Sequence, residues 1–374
     1  MKLESMLIER PFKIGGLNFN AGELRMSSPD LRKQILESFE LTAKTTGTIN
    51  KIDEYVKFIV FDSMFDKATK DGNFTDMIIV RYGGIGDLIA LTSIIDYFDD
   101  KRIHFITNMK YSAVFDWFVI KPYKVYGAFE PFQRKLTING FDKRFRNWAK
   151  FQGEGIIENG SSKNWFELFF EFIEENEPDK EFLRPDLKQY RINDKESNIS
   201  YLQKQYSLNS KSLLICNKST IMMRTCKASD IIAALPENNY DIFVYESSLM
   251  SGEKIPKEIN IIPKTDLETF LLDCFDADMV ISVDSGALHF REGIGKPAIG
   301  LYNSFTTESR TKYYIHTKSY DIESDCDLQP CFLHERADLK FCPKGNKDSF
   351  AAPCLDSEYN NTLHEQLKEI FKTL

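Results

Sequence analysis

The chain has 374 residues, 42% of them apolar and 13% aromatic, and a formal net charge of −8. That is enough apolar material for about two domains with their own cores, and the negative balance argues against wholesale coating of nucleic acid. No apolar run approaches the roughly 20 residues that span a bilayer. The opening Met-Lys-Leu-Glu-Ser-Met lacks the apolar core of a signal peptide, so a cytoplasmic location is expected.

Residues 1–74 read as an N-terminal extension. Pro29 to Leu41 starts like a helix, with Ser28 or Ser27 as its cap and a proline in the first turn. Lys51 to Phe61 fits either a helix or a strand.

The most informative segment is Met77-Ile-Ile-Val-Arg-Tyr-Gly-Gly-Ile-Gly-Asp-Leu-Ile-Ala-Leu-Thr92, an apolar strand that enters a glycine turn and then an apolar helix. In an α/β protein such a junction lies at the carboxyl end of the strand, where bare N–H groups and the positive helix end face the ligand crevice. Gly83 and Gly84 suit the turn, and Gly86 allows a substrate or backbone to approach closely. Asp87 is the acid at that junction. This is not a dinucleotide fingerprint: Ile89 stands where the third glycine belongs, and Asn108 ends the next strand in place of an acid.

Strand 77–82, helix 86–98, strand 103–107 and a helix near 111–118 follow in alternation, which predicts parallel strands with crossover helices. Between Lys121 and Lys150 the chain turns basic, and Phe141-Asp-Lys-Arg-Phe-Arg-Asn-Trp-Ala-Lys-Phe151 interleaves cations with aromatics. Such a stretch favours an anionic or base-bearing partner, or forms a solvated surface helix with a few buried rings. Asn164 to Ile173 is a strongly apolar helix, and the prolines at 178 and 185 mark its exit. A first domain over 75–190 is expected to close there.

The same grammar restarts in a second domain over 195–355: strand 213–216, helix 228–235, strand 240–245, helix 266–275, strand 279–283, helix 287–293 and strand 298–302. A C-terminal helix fills 356–374. Two successive open α/β units are expected to leave a cleft for ligands.

Val283-Asp-Ser-Gly-Ala-Leu-His289 repeats the logic of the first junction. Asp284 or Ser285 can cap the helix, while N–H groups at Ser285, Gly286 and Ala287 can take phosphate oxygens. The same turn also serves as an ordinary structural cap. Asp276-Ala-Asp278 looks like a metal-binding acid pair but sits between a helix end and a buried strand, and reads as structural. Cys326, Cys331, Cys342 and Cys354 fall late among seven cysteines. They can pack as reduced thiols, pair as a disulfide, or hold zinc, although their spacings exceed the usual knuckle pairs.

The two junctions, in this order and at this separation, resemble glycosyltransferase family 9, the ADP-heptose:lipopolysaccharide heptosyltransferase type. The match runs from Tyr82-Gly-Gly-Ile-Gly-Asp87, with Ser93 where the family has a helix proline, to Ala277 through His289 and then Gly295-Lys-Pro297. The resemblance covers roughly 75–355. It implies an α/β GT-B fold of two Rossmann-like doubly wound domains, and metal-independent, cofactor-free, inverting transfer of a hexosyl, heptosyl or pentosyl group from a nucleotide sugar. Asp87 would be the general base, and Asp284, Ser285, Gly286, Ala287 and His289 the donor-binding turn. The family's basic residue facing the leaving diphosphate falls among Lys218, Arg224 and Lys227; Arg224 aligns best, but the Trp-Pro pair that follows in the family is replaced by Cys226-Lys227. Thr306 and Thr307 are placed to line the donor pocket.

The acceptor is expected on the first domain, at Lys143, Arg144, Arg146 and Trp148. An anionic glycan such as lipopolysaccharide core suits those cations; so does DNA carrying hydroxymethylated bases, as for a phage-type enzyme. A non-catalytic nucleotide-binding assembly protein is the remaining reading, disfavoured because Asp87, Asp284 and His289 are all present. Oligomeric state leaves no mark in the sequence.

Overall fold

The computed structural model describes residues 4–14, 17–19, 23–26, 29–46, 52, 55–60, 76–81, 84–98, 102–117, 122, 124–128, 149–152, 163–176, 179–185, 187, 200–202, 211–219, 222–237, 240–263, 265–331, 342, 344, 351–372 and 374. Its strands and helices are, in chain order, β1 (Glu4–Ile8), β2 (Phe12–Ile14), β3 (Leu17–Phe19), β4 (Glu23–Met26), α1 (Pro29–Thr46), β5 (Val56–Val60), β6 (Asp76–Val80), α2 (Ile85–Leu91), β7 (Arg102–Asn108), β8 (Lys124–Ala128), β9 (Ala149–Gln152) and α3 (Trp165–Asn176). The later part adds β10 (Lys211–Cys216), α4 (Ala228–Ala234), β11 (Tyr240–Tyr245), β12 (Asn260–Ile262), α5 (Leu267–Asp276), β13 (Met279–Val283), α6 (Gly286–Gly293), β14 (Ala298–Tyr302), α7 (Thr307–Thr311), β15 (Thr317–Asp321) and α8 (Leu363–Phe371).

These elements form two compact units. The first comprises 1–83, 95–116 and 121–154; the second comprises 84–94, 117–120 and 155–374. Helix α2, which carries Asp87, therefore clusters with the second unit although it follows β6 in the chain.

In the first unit a seven-stranded sheet runs β5-β1-β4-β8-β7-β6-β9. The strands from β4 to β9 in that row pair in parallel, while β1 is antiparallel to both β4 and β5. Residues without a motif thus supply three strands to the sheet, and Val56–Val60 is a strand where the sequence left helix and strand open. The interior strand β7 is buried from Ile103 to Thr107, as a parallel strand covered on both faces should be.

The second unit holds a six-stranded, wholly parallel sheet in the order β12-β11-β10-β13-β14-β15. Numbered from its own first strand this is 3-2-1-4-5-6, the Rossmann order, and its direction reverses between β10 and β13. Leu363, Leu367, Ile370 and Phe371 of α8 recur at helical spacing and are buried in the core formed by β10, β13 and β14.

Helix α6 is fastened on both sides. Arg291, fully buried, donates to the carbonyls of Cys274, Ala277, Asp278 and Pro297 at 2.7–3.2 Å. The neighbouring Glu292 carboxylate accepts from the N–H groups of Ile315, His316 and Thr317 at 2.7–2.9 Å. Polar groups this well satisfied cost little to bury, and they fix the helix against its sheet.

Two predicted helices differ in detail. The helix expected over 86–98 is α-helical only to Leu91 and continues as a 3-10 turn over Thr92–Tyr97. There the Thr92 and Ser93 hydroxyls bond back to the carbonyls of Ile89 and Ala90 at 2.6 and 2.7 Å, in a run crowded by β-branched residues. The helix expected near 111–118 is likewise 3-10, over Met109–Trp117. Among the described residues, no helix is long and apolar enough to cross a membrane.

Candidate active site

The switch between β10 and β13 is where an open α/β sheet parts its loops and receives ligands. Both flanking loops carry charge. Arg224, in the 3-10 turn after β10, donates from Nη1 to Oδ2 of Asp284 at the end of β13, at 2.9 Å. Asp284 is 3% exposed on its side chain, so this pair balances a desolvated carboxylate. Of the three cations open in the sequence, only Arg224 makes this pairing among the described residues. Lys218 instead donates to the Ser247 carbonyl at 2.9 Å, and Lys227 is held by Asp356 and Glu358 at 2.8 Å each.

After Asp284 the chain turns into α6. Ser285 is the N-cap, its hydroxyl accepting from the Ala287 N–H at 3.3 Å and lying 2.8 Å from the Ser282 hydroxyl. Gly286 opens the helix. An added Cβ there would lie 3.0 Å from Cβ of Ile85, so the first turns of α6 and α2 meet with little room.

His289 lies one turn into α6 and is 3% exposed. Nδ1 is 2.6 Å from the Tyr314 hydroxyl, and the ring centroid is 4.9 Å from that of Trp165. Burial lowers its pKa to about 4, against the opposing pull of Asp284 and Asp87. At neutral pH the imidazole is therefore uncharged, and Nε2, 3.9 Å from Asp284 Oδ1, is in contact with the carboxylate without forming an ion pair.

Asp87 stands in the first turn of α2, half-buried, with its N–H on the Gly84 carbonyl at 3.1 Å. A carboxylate there is favoured by the helix dipole. Gly86, one residue earlier, is pressed against the histidine: a Cβ at Gly86 would fall 2.1 Å from His289 Cδ2. The negative charges of Asp87 and Asp284 both act on His289 and on Arg310. The two acids singled out far apart in the sequence are thus gathered around one neutral ring.

Thr306 caps α7, accepting from the Ser309 N–H at 3.2 Å, and Thr307 donates to Asp321 at 2.9 Å. Asp278 accepts from the Ser212 N–H at 2.8 Å, a structural bond that ties β13 to β10. Gly83, Lys143, Arg144, Arg146 and Trp148 lie outside the described residues. Among the described residues Cys326, Cys331, Cys342 and Cys354 form no disulfide; Asn303 Nδ2 lies 3.1 Å from Cys354 Sγ, and burial raises that thiol to about 11. Among the described residues no group of three or more His, Cys, Asp or Glu is set to hold a metal ion.

Three residues of the site carry no motif in the sequence. Trp165 was legible only as part of an apolar helix, and Tyr314 and Arg310 sit in a segment, Thr306-Thr-Glu-Ser-Arg-Thr-Lys-Tyr-Tyr314, with no motif. Their proximity to His289 is a product of the tertiary fold alone.

The sequence profile of glycosyltransferase family 9 (heptosyltransferase) matches residues 132–338, more than half of the chain. Among solved structures, the glycosyl transferase family 9 protein of Veillonella parvula DSM 2008 is 10% identical, with 80% of this chain and 96% of that chain covered and a TM-score of 0.52. The iron-containing dodecameric glycosyltransferase TibC of enterotoxigenic E. coli H10407 is 13% identical, with 84% and 78% covered and a TM-score of 0.48. The E. coli heptosyltransferase WaaC with ADP is 12% identical, with 66% and 93% covered and a TM-score of 0.44. No curated protein matches the chain. The chain belongs to glycosyltransferase family 9, and is a nucleotide-sugar glycosyltransferase with the GT-B fold.

Proposed function

We propose that the chain is an inverting, metal-independent glycosyltransferase that moves a sugar from a nucleotide sugar to an anionic glycan of the lipopolysaccharide-core type. Asp87 accepts the proton of the acceptor hydroxyl as its oxygen attacks the anomeric carbon. The bond from that carbon to the diphosphate oxygen breaks, its electron pair leaves with the nucleoside diphosphate, and the configuration inverts. The Ser285–Ala287 turn, with its helix N–H groups, receives the diphosphate. Arg224, bridging the switch point to Asp284, answers the charge that grows on the leaving group, so no metal is needed for that purpose.

The observation that carries this reading is the assembly of Asp87, Asp284 and His289 about the Gly86 contact. A base and a phosphate-binding turn are useful together only if they lie together. His289, neutral and anchored by Tyr314, offers a hydrogen-bonding ring without adding to the charge. The acceptor class rests on the basic, aromatic stretch around Lys143, Arg144, Arg146 and Trp148.

The test is a panel of nucleotide sugars, beginning with ADP-heptose as the family suggests, offered with deacylated lipopolysaccharide. Release of nucleoside diphosphate that requires acceptor, persists with chelator and gives a product of inverted anomeric configuration is expected. Retention of configuration, or strict metal dependence, would contradict the proposal. Transfer to hydroxymethylated DNA instead would move the acceptor to the phage-type alternative.

A further inference from the structure

We infer that Arg310 is a second phosphate-contacting residue of this enzyme, its guanidinium binding the donor diphosphate beside Arg224; the inference rests on the donor site proposed above. Arg310 lies on α7, outside both sequence motifs. Its residue is 6% exposed, and the guanidinium carbon sits 3.6 Å from the ring centroid of Phe305 and 4.9 Å from that of Trp165. The guanidinium thus lies over two aromatic rings, which hold the cation in place.

Among the described residues no carboxylate or carbonyl pairs with it. Arg291, the other deeply buried arginine of this unit discussed above, spends its donors on four carbonyls, and Arg224 is committed to Asp284. Arg310 has no hydrogen bond or ion pair with any described residue. None of its nitrogens is among the sealed atoms that lack a partner, so its unpaired donors open onto accessible space. A buried cation is costly without an anion. Burial pulls the guanidinium below its ordinary pKa, while Asp284 and Asp87 pull it back up. Those are the two acids of the proposed reaction, and Trp165, which the guanidinium faces, lies 4.9 Å ring to ring from His289, so Arg310 stands near the donor turn.

The charges also change together during transfer. Before reaction the Asp87 and Asp284 carboxylates balance Arg224 and Arg310, with His289 neutral. When the acceptor proton reaches Asp87, that carboxylate loses its charge as the leaving diphosphate gains one. The attraction that Asp87 exerted on Arg310 fades, and the guanidinium is left facing the new negative charge. An interaction that strengthens in this way lowers the barrier as well as assisting binding.

The experiment measures binding of ADP, GDP, UDP, CDP and dTDP, and of the matching bare nucleosides, to the full chain by calorimetry. Wild type is compared with Arg310→Gln and Arg310→Lys. For the preferred diphosphate, Arg310→Gln is expected to lose about tenfold or more, the scale of one charge-assisted hydrogen bond. The nucleoside should bind unchanged. Arg310→Lys keeps the cation but not the fork, and a loss of about threefold to tenfold confined to the diphosphate is expected. Where Arg310→Gln fails to fold, the lysine variant decides. Diphosphate binding equal to wild type in the folded variants, or equal losses for nucleoside and diphosphate, would overturn the inference alone. A wild-type chain that binds none of the five diphosphates would sink the donor site itself, and the inference with it.

Discussion

Gly86 and His289 are packed so closely that a single methyl group at Gly86 would lie 2.1 Å from the imidazole Cδ2. The glycine on α2 is thus required by a ring on α6, and the two motif helices are locked at that point. Neither neighbour can yield easily, because His289 is held by Tyr314 and packs at a tilt against Trp165, ring centroids 4.9 Å apart.

Gly86→Ala should therefore overpack this contact. A loss of about 1–3 kcal/mol in stability is expected from denaturant unfolding, with a larger proportional loss of transfer activity because Asp87 is displaced. Stability and activity equal to wild type would show that the helices separate freely.

Removing Arg224 leaves Asp284 buried without its counter-ion. Arg224→Ala is expected to cost roughly 1–3 kcal/mol, less than a wholly buried pair because the arginine side chain keeps 19% exposure. A double-mutant cycle with Asp284→Asn should recover part of that loss, since the amide no longer carries the charge. Additive losses would contradict the pairing.

The histidine gives the fold a pH dependence of known sign. Its folded pKa, about 4, lies below the ordinary 6.5, so between these values the unfolded chain binds the proton more readily. Stability is expected to fall as the pH drops from about 6.5 to about 4, and this contribution should level off below that. In His289→Asn the same unfolding series should be flatter across that window. An unchanged slope would mean that the imidazole already titrates normally in the folded protein.

Much of this was legible beforehand, for identifiable reasons. Strands such as Met279–Val283 and Ala298–Tyr302 are continuous apolar runs bounded by turn residues, and buried parallel strands read in that way. Asp87 and Asp284 stood out because strand-to-helix junctions are local patterns. The change from α to 3-10 helix at Thr92 and Ser93 leaves no mark in the sequence, because side-chain back-bonding competes with the α-helical ladder only once the turn is packed. Arg310, Tyr314 and Trp165 could not be found, since what unites them is a ring and a cation meeting across more than a hundred residues. The choice among Lys218, Arg224 and Lys227 also needed coordinates: all three lie in one loop, and only their partners distinguish them.

Arg291 makes the clearest stability prediction away from the reacting groups. Arg291→Met would leave the Cys274, Ala277, Asp278 and Pro297 carbonyls short of donors. A loss of about 3 kcal/mol or more is expected in urea unfolding. A variant as stable as wild type would mean that water replaces the guanidinium without penalty.

The central claim is that the Asp87 carboxylate takes the acceptor proton at a donor held by the Asp284–His289 turn. Steady-state transfer by Asp87→Asn, with the best donor and acceptor of the panel, tests it most directly. A fall in kcat of about 100-fold to 10,000-fold, with nucleoside diphosphate affinity preserved, is the expected result. A kcat within about twofold of wild type, far short of that range, would contradict the account.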